Sequence, residues 1–88
     1  MKVQKNIEWS IVGEEVLIIN PETGKVLTGN KSVASVIDYC MQHDSFDESS
    51  IVEALKSKYC ISDDDFESFL VDVTYIIDYM KIEGVFIE

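Results

Sequence analysis

Hydrophobic and polar positions follow two different periods along this chain. Ile7, Trp9 and Ile11 alternate with Glu8 and Ser10, the period of a half-buried strand. Gly13-Glu14-Glu15 then reads as a turn, and Val16 to Asn20 as a second strand. That strand is apolar on both sides and is therefore expected at the centre of its sheet. Asn20-Pro21-Glu22-Thr23-Gly24 is a strong turn signal, because proline presets φ early in a turn and glycine accepts the left-handed conformation. Lys25-Val26-Leu27-Thr28 returns as a third strand, which completes an antiparallel meander.

From Lys31 onward the period is helical. A first helix is expected from about Lys31 to Gln42, with Val33, Val36, Ile37, Cys40 and Met41 on one face. A second is expected from about Glu48 to Tyr59, capped by Asp47 and stapled by Phe46 and Ile51. The third repeats the device: Ser62 caps, Asp65 closes the capping box, and Ile61 and Phe66 form the staple. Asp63, Asp64 and Asp65 suit the positive end of its dipole, and Gly84 ends it as a C′ glycine. Val85-Phe86-Ile87 can add a short last strand.

The third helix carries the most information. Phe66, Phe69, Leu70, Val73, Ile76, Ile77 and Met80 recur at i, i+3, i+4 and i+7 and must face the core. Val71, Tyr75, Tyr79 and Ile82 fall on the opposite side. They are either ordinary exposed side chains or a surface for a partner or a second copy of the chain. The expected architecture is α+β: an N-terminal three-stranded antiparallel meander followed by three helices, winged-helix-like, in one domain over residues 1–88.

Charge narrows the partners. Seventeen acids against seven lysines, with no arginine, give a net charge of −10. Residues 1–30 hold three lysines and four acids, net −1, whereas residues 31–88 hold four lysines and thirteen acids, net −9. Such a field disfavours nucleic acid and anionic membrane and favours a basic peptide. Hydrophobic residues make up 47% of the chain, so it can fold, although a domain of this size has a thin core. No apolar stretch behind the first five residues reads as a signal peptide, and Val16-Leu17-Ile18-Ile19 is far too short to span a bilayer. The expected compartment is the cytoplasm, with Cys40 and Cys60 as free thiols.

Catalytic constellations are absent from the sequence. Cys40 and the lone His43 have i, i+3 spacing, but no second pair completes a metal site and no third group orients a nucleophile. Gly24 and Gly29 are separate turn glycines rather than a phosphate loop. No enzyme activity, metal or cofactor is expected. Two rival readings remain. Asp44-Ser45-Phe46 looks like the Asp-Ser-Leu site of acyl carrier proteins, with Ser45 as the phosphopantetheine attachment point. A winged-helix nucleic-acid binder shares the layout, but its recognition helix would carry Asp63, Asp64, Asp65, Glu67, Asp72 and Asp78 against Lys81.

Three stretches, taken in order, match a known pattern. They are Val16 through Leu27 with the Asn20-Pro21-Glu22-Thr23-Gly24 turn, Ile51 through Tyr59, and Asp72-Val73 through Gly84-Val85-Phe86-Ile87. With these the chain resembles the PqqD-like family, the small peptide chaperones also called RiPP recognition elements, over about residues 7–88. It departs from the family at Thr28-Gly29-Asn30, where Leu-Asn often stands.

The resemblance implies a non-catalytic domain that binds the leader of a ribosomally made precursor peptide. The leader would add a strand between the third strand and the third helix. Its contacts would be Lys25, Val26, Leu27 and Thr28 on the strand, and Asp65, Phe69, Asp72 and Ile76 on the helix. Val71, Tyr75, Tyr79 and Ile82 would then serve a peptide-modifying enzyme (a radical-SAM enzyme, leader protease or cyclase) or a homodimer.

Overall fold

The apolar run Val16-Leu17-Ile18-Ile19 lies between two turns at the centre of the sheet, and a computed structural model describes all of residues 1–88. The elements are β1 (Lys2–Val3), β2 (Glu8–Val12), β3 (Glu15–Asn20), β4 (Lys25–Gly29), α1 (Lys31–Met41), α2 (Glu48–Lys58), α3 (Asp63–Ile82) and β5 (Phe86–Ile87). The α+β layout is as expected: β2, β3 and β4 form an antiparallel meander with β3 central, and three helices follow. The expected third strand is β4, which runs one residue further, to Gly29.

A second, two-stranded sheet was not legible in the sequence. β1 pairs antiparallel with β5, Lys2 opposite Ile87 and Val3 opposite Phe86. Two residues are too few to show a period, and only the β5 half carried a signal.

The core lies between the meander and the helices. Val16, Ile18 and Leu27 face inward from the sheet, Val33, Val36, Ile37 and Cys40 from α1, and Ile51, Val52 and Leu55 from α2. Val73, Ile76, Ile77 and Met80 complete it from α3, as the helical period requires. Three expected positions differ. Met41, the last residue of α1, is exposed because the core face ends at Cys40. Ile11 keeps the strand period but is 59% exposed, because α1 packs on β3 and β4 and leaves β2 uncovered. Tyr79, expected on the outer side of α3, is half-buried against the core.

The helix ends follow their caps. Asp47 and Ser50 close a capping box on α2, with Ser50 N–H donating to Asp47 Oδ1 at 2.8 Å. Phe46 and Ile51 are both buried, as a staple demands. Ser62 occupies the N-cap of α3 but makes no side-chain cap bond; its hydroxyl donates instead to Asp65 Oδ2 at 3.1 Å. α3 ends in a Schellman motif at Gly84 (φ +76°), with Val85 N–H bonded to Met80 O at 2.9 Å. α2 ends the same way, with Cys60 (φ +51°) in the glycine position and Ile61 N–H bonded to Lys56 O at 3.1 Å.

Candidate functional site

The outer edge of β4 is open, because β4 has β3 as its one sheet neighbour. Which of its backbone groups face outward follows from the turn between β2 and β3. Val12 pairs with Glu15 across the two-residue turn Gly13-Glu14, so this is the hydrogen-bonded pair that closes a tight hairpin. Hydrogen bonding then alternates along the ladder. Glu15, Leu17 and Ile19 turn their backbone groups toward β2, and Val16, Ile18 and Asn20 turn theirs toward β4. Their partners Gly29, Leu27 and Lys25 are consumed by β3. Val26 and Thr28 therefore present N–H and C=O to solvent.

Side chains on this edge divide in the opposite sense. Leu27 points inward and is only 7% exposed, whereas Val26 is exposed on the outer face of the sheet. Lys25 lies at the turn end, where its Nζ is 3.2 Å from Glu83 Oε2 at the C-cap of α3. Beside it the buried Asn20 donates from Nδ2 to the carbonyl of Glu83 at 2.9 Å and accepts from the N–H of Glu22 at 3.1 Å. A side chain on Gly84 would meet that Asn20 amide at 3.2 Å. These contacts latch the β3–β4 turn to the end of α3 and fix the spacing between edge and helix.

At the other end of β4, α1 approaches closely. A Cβ on Gly29 would lie 2.6 Å from Val33 Cβ, so only glycine admits this contact. Asn30 caps α1, accepting from Ser32 N–H at 3.0 Å and Val33 N–H at 3.2 Å. From here a furrow runs between α1 and α3. One depression of about 390 Å³ is bordered by Lys31, Ser35, Tyr59, Phe69, Asp72 and Ile76, and is largely apolar. The Ser35 and Tyr59 hydroxyls share a hydrogen bond of 2.6 Å at its wall. A second, of about 370 Å³, is bordered by Asn30, Ser32, Val71, Asp72, Tyr75 and Ile76. Asp72 and Ile76 line both, which joins them into one furrow.

The expected site residues thus fall into three groups. Phe69, Asp72 and Ile76 come together in the furrow. Lys25 to Thr28 lie on the β4 edge and line neither depression; Thr28 borders a polar hollow with Gly29, Asn30 and Lys31. Asp65 lies in the first turn of α3, outside both depressions. Of the opposite face, Val71 and Tyr75 are 67% and 73% exposed yet border the furrow, while Ile82 is 80% exposed and stands apart. Sequence reading did not find Lys31, Ser32, Ser35 or Tyr59, because helical period marks the core face of α1 and not the flank bordering another helix.

Ser45 is exposed in the α1–α2 connection, next to the buried Phe46, whose N–H bonds to Met1 O at 2.8 Å. The antiparallel meander differs from the four-helix fold that an acyl carrier site requires. Asp63, Asp64, Asp65, Glu67, Asp72 and Asp78 are all exposed along α3. No helix is long and apolar enough to cross a membrane.

No family model matches the chain, and no curated protein matches it by sequence. Among solved structures the fold is similar to that of TbiB1, determined in complex with the TbiA(beta) leader peptide. The TM-score is 0.74 over 97% of this chain and 93% of that one, at 13% sequence identity. At that identity the likeness is one of fold.

Proposed function

We propose that this chain is a non-catalytic binder of a precursor's leader peptide, a recognition element of the PqqD-like kind. The carrying observation is the open β4 edge, with an apolar furrow between α1 and α3, in a fold similar to that of a protein solved with a leader peptide. The leader adds as a strand to β4, bonding to the outward groups of Val26 and Thr28, with Lys25 and Leu27 holding that edge in register. Main-chain bonds of this kind supply affinity that tolerates sequence change, while pockets for alternate side chains supply selectivity. Apolar leader residues enter the furrow against Phe69 and Ile76. Asp72, and Asp65 at the rim, favour lysine or arginine in the leader.

The bound leader is presented to a modifying enzyme, such as a radical-SAM enzyme, a leader protease or a cyclase. Ile82, with the outer parts of Val71, Tyr75 and Tyr79, is the surface assigned to that enzyme. The chain itself needs no metal or cofactor for this role, and the cytoplasm, where precursors are made, is the compartment that suits it.

The test is calorimetric titration with the leader segment of the precursor encoded beside this chain's gene. Saturable one-to-one binding that Asp72→Lys weakens about tenfold supports the reading, since one reversed charge near the surface shifts affinity by that order. Absence of binding, or binding indifferent to Asp72→Lys and to changes on β4, overturns it.

A further inference from the structure

The meander has a second open edge, and nothing in the fold covers it. β2 is bonded to β3 alone, and α1 packs on β3 and β4. Edge strands are commonly blunted by lysine, proline, a bulge or a covering element. β2 (Glu8-Trp9-Ser10-Ile11-Val12) has none of these, and its register with β3 runs unbroken over all five residues. The tight turn that closes at Val12 and Glu15 is opened by Gly13 at φ +67°, as a type II′ hairpin requires. By the same alternation, Glu8, Ser10 and Val12 spend their backbone groups on β3, and Trp9 and Ile11 turn theirs outward.

We propose that β2 pairs with β2 of a second copy, antiparallel and centred on Ser10, to make a continuous sheet of three strands from each copy. In this register Trp9 of each copy faces Ile11 of the other. These are the residues with free backbone groups, so each pair exchanges both bonds. On the inner face the half-buried Trp9 and the 59% exposed Ile11 gain each other as neighbours, the aromatic–aliphatic pairing that stabilises ladders.

Charge permits this register. On the outer face Glu8 stands opposite Val12 and Ser10 opposite Ser10, so no like charges meet. Glu14 at the turn of one copy lies toward Lys5 and Asn6 of the other. Residues 1–30 carry three lysines and four acids, whereas a pairing through the helices would bring together two surfaces of four lysines and thirteen acids. In the β2 pairing the two β3 strands, which carry the helical layers, lie three strand spacings apart, about 14 Å. That exceeds the screening length of about 8 Å at physiological salt. The β4 edges point away from the junction at both ends of the long sheet, so self-pairing leaves the proposed leader site free.

Sedimentation equilibrium between about 10 μM and about 1 mM, the span of weak self-association, tests the proposal. The mass should rise from 10.0 kDa toward twice that value. Ile11→Pro removes an outward N–H without touching the β2–β3 ladder, and should weaken the dimer about thirtyfold or more, because one bond is lost from each copy. Ser10→Glu, which sets two carboxylates face to face at the dyad, should weaken it about fivefold at low salt and less at high salt. Circular dichroism and unchanged leader titration show that either variant is folded, and Ser10→Glu decides if Ile11→Pro is not. A protein monomeric throughout the range, or a dimer indifferent to Ser10→Glu, overturns the proposal. Neither result bears on leader binding at β4.

Discussion

Cys60 adopts the left-handed conformation that closes α2, a position where glycine carries no steric penalty (φ +51°). Cys60→Gly should therefore raise stability by about 1 kcal/mol, read as a rise in Tm of about 4–8 °C. The two thiols differ sharply. Cys40 is wholly buried in the core, and desolvation pushes its pKa from 9.0 up to about 12. Iodoacetamide at mildly alkaline pH should label Cys60 and spare Cys40 until the protein unfolds. Because the folded pKa is raised, the unfolded chain releases this proton first. Stability attributable to Cys40 is therefore constant below pH 9.0 and declines between there and about 12. The decline is up to about 1.4 kcal/mol per pH unit. Asn20 is the other decisive residue. Asn20→Ala removes its bonds to Glu83 O and Glu22 N–H and leaves a partly buried carbonyl without its partner, a loss of about 1–3 kcal/mol by thermal denaturation. Neither role was legible beforehand: Asn20 read as a turn residue, and nothing marked Cys60 as a glycine substitute, because its conformation depends on how α2 meets α3.

The meander strands and the three helices were readable, since period and caps are local. What period could not tell was which faces the helices would cover. Ile19 and Val26 are exposed, opposite each other, on the outer face of the sheet because no layer packs there, and Ile11 is exposed because α1 covers β3 and β4 but not β2. The pairing of β1 with β5 joins the chain's ends, a relation no local pattern carries. The candidate site was half legible: Phe69, Asp72 and Ile76 follow from α3 alone, whereas the α1 flank depends on how two helices meet. At the level of β4, Leu27→Asp would test the core more than the edge, since Leu27 is buried. Val26→Pro is the sharper variant. Its lost N–H faces away from β3, and proline is tolerated on an edge. It should leave Tm within a few degrees while weakening leader binding about tenfold or more, measured by calorimetry.

On the scale of the molecule, the charge that first excluded nucleic acid and membrane acquires a direction. A near-neutral sheet carries two open strand edges, and Asp72 of the acidic α3 lines the furrow against α1. A leader that enters the furrow should show affinity that falls with ionic strength, and Asp72→Asn should flatten that dependence, because Asp72 lines the furrow. Under the two proposals the edges of one sheet take different partners, a peptide at β4 and a second copy at β2. The most direct test of leader recognition is amide-resolved NMR during titration with the cognate leader. Strand addition predicts that the amides of Val26 and Thr28 shift and become protected from exchange, with shifts extending to Phe69, Asp72 and Ile76 but not to Trp9 or Ile11. Shifts confined to other surfaces, or binding that leaves the Val26 and Thr28 amides exchanging freely, would contradict it.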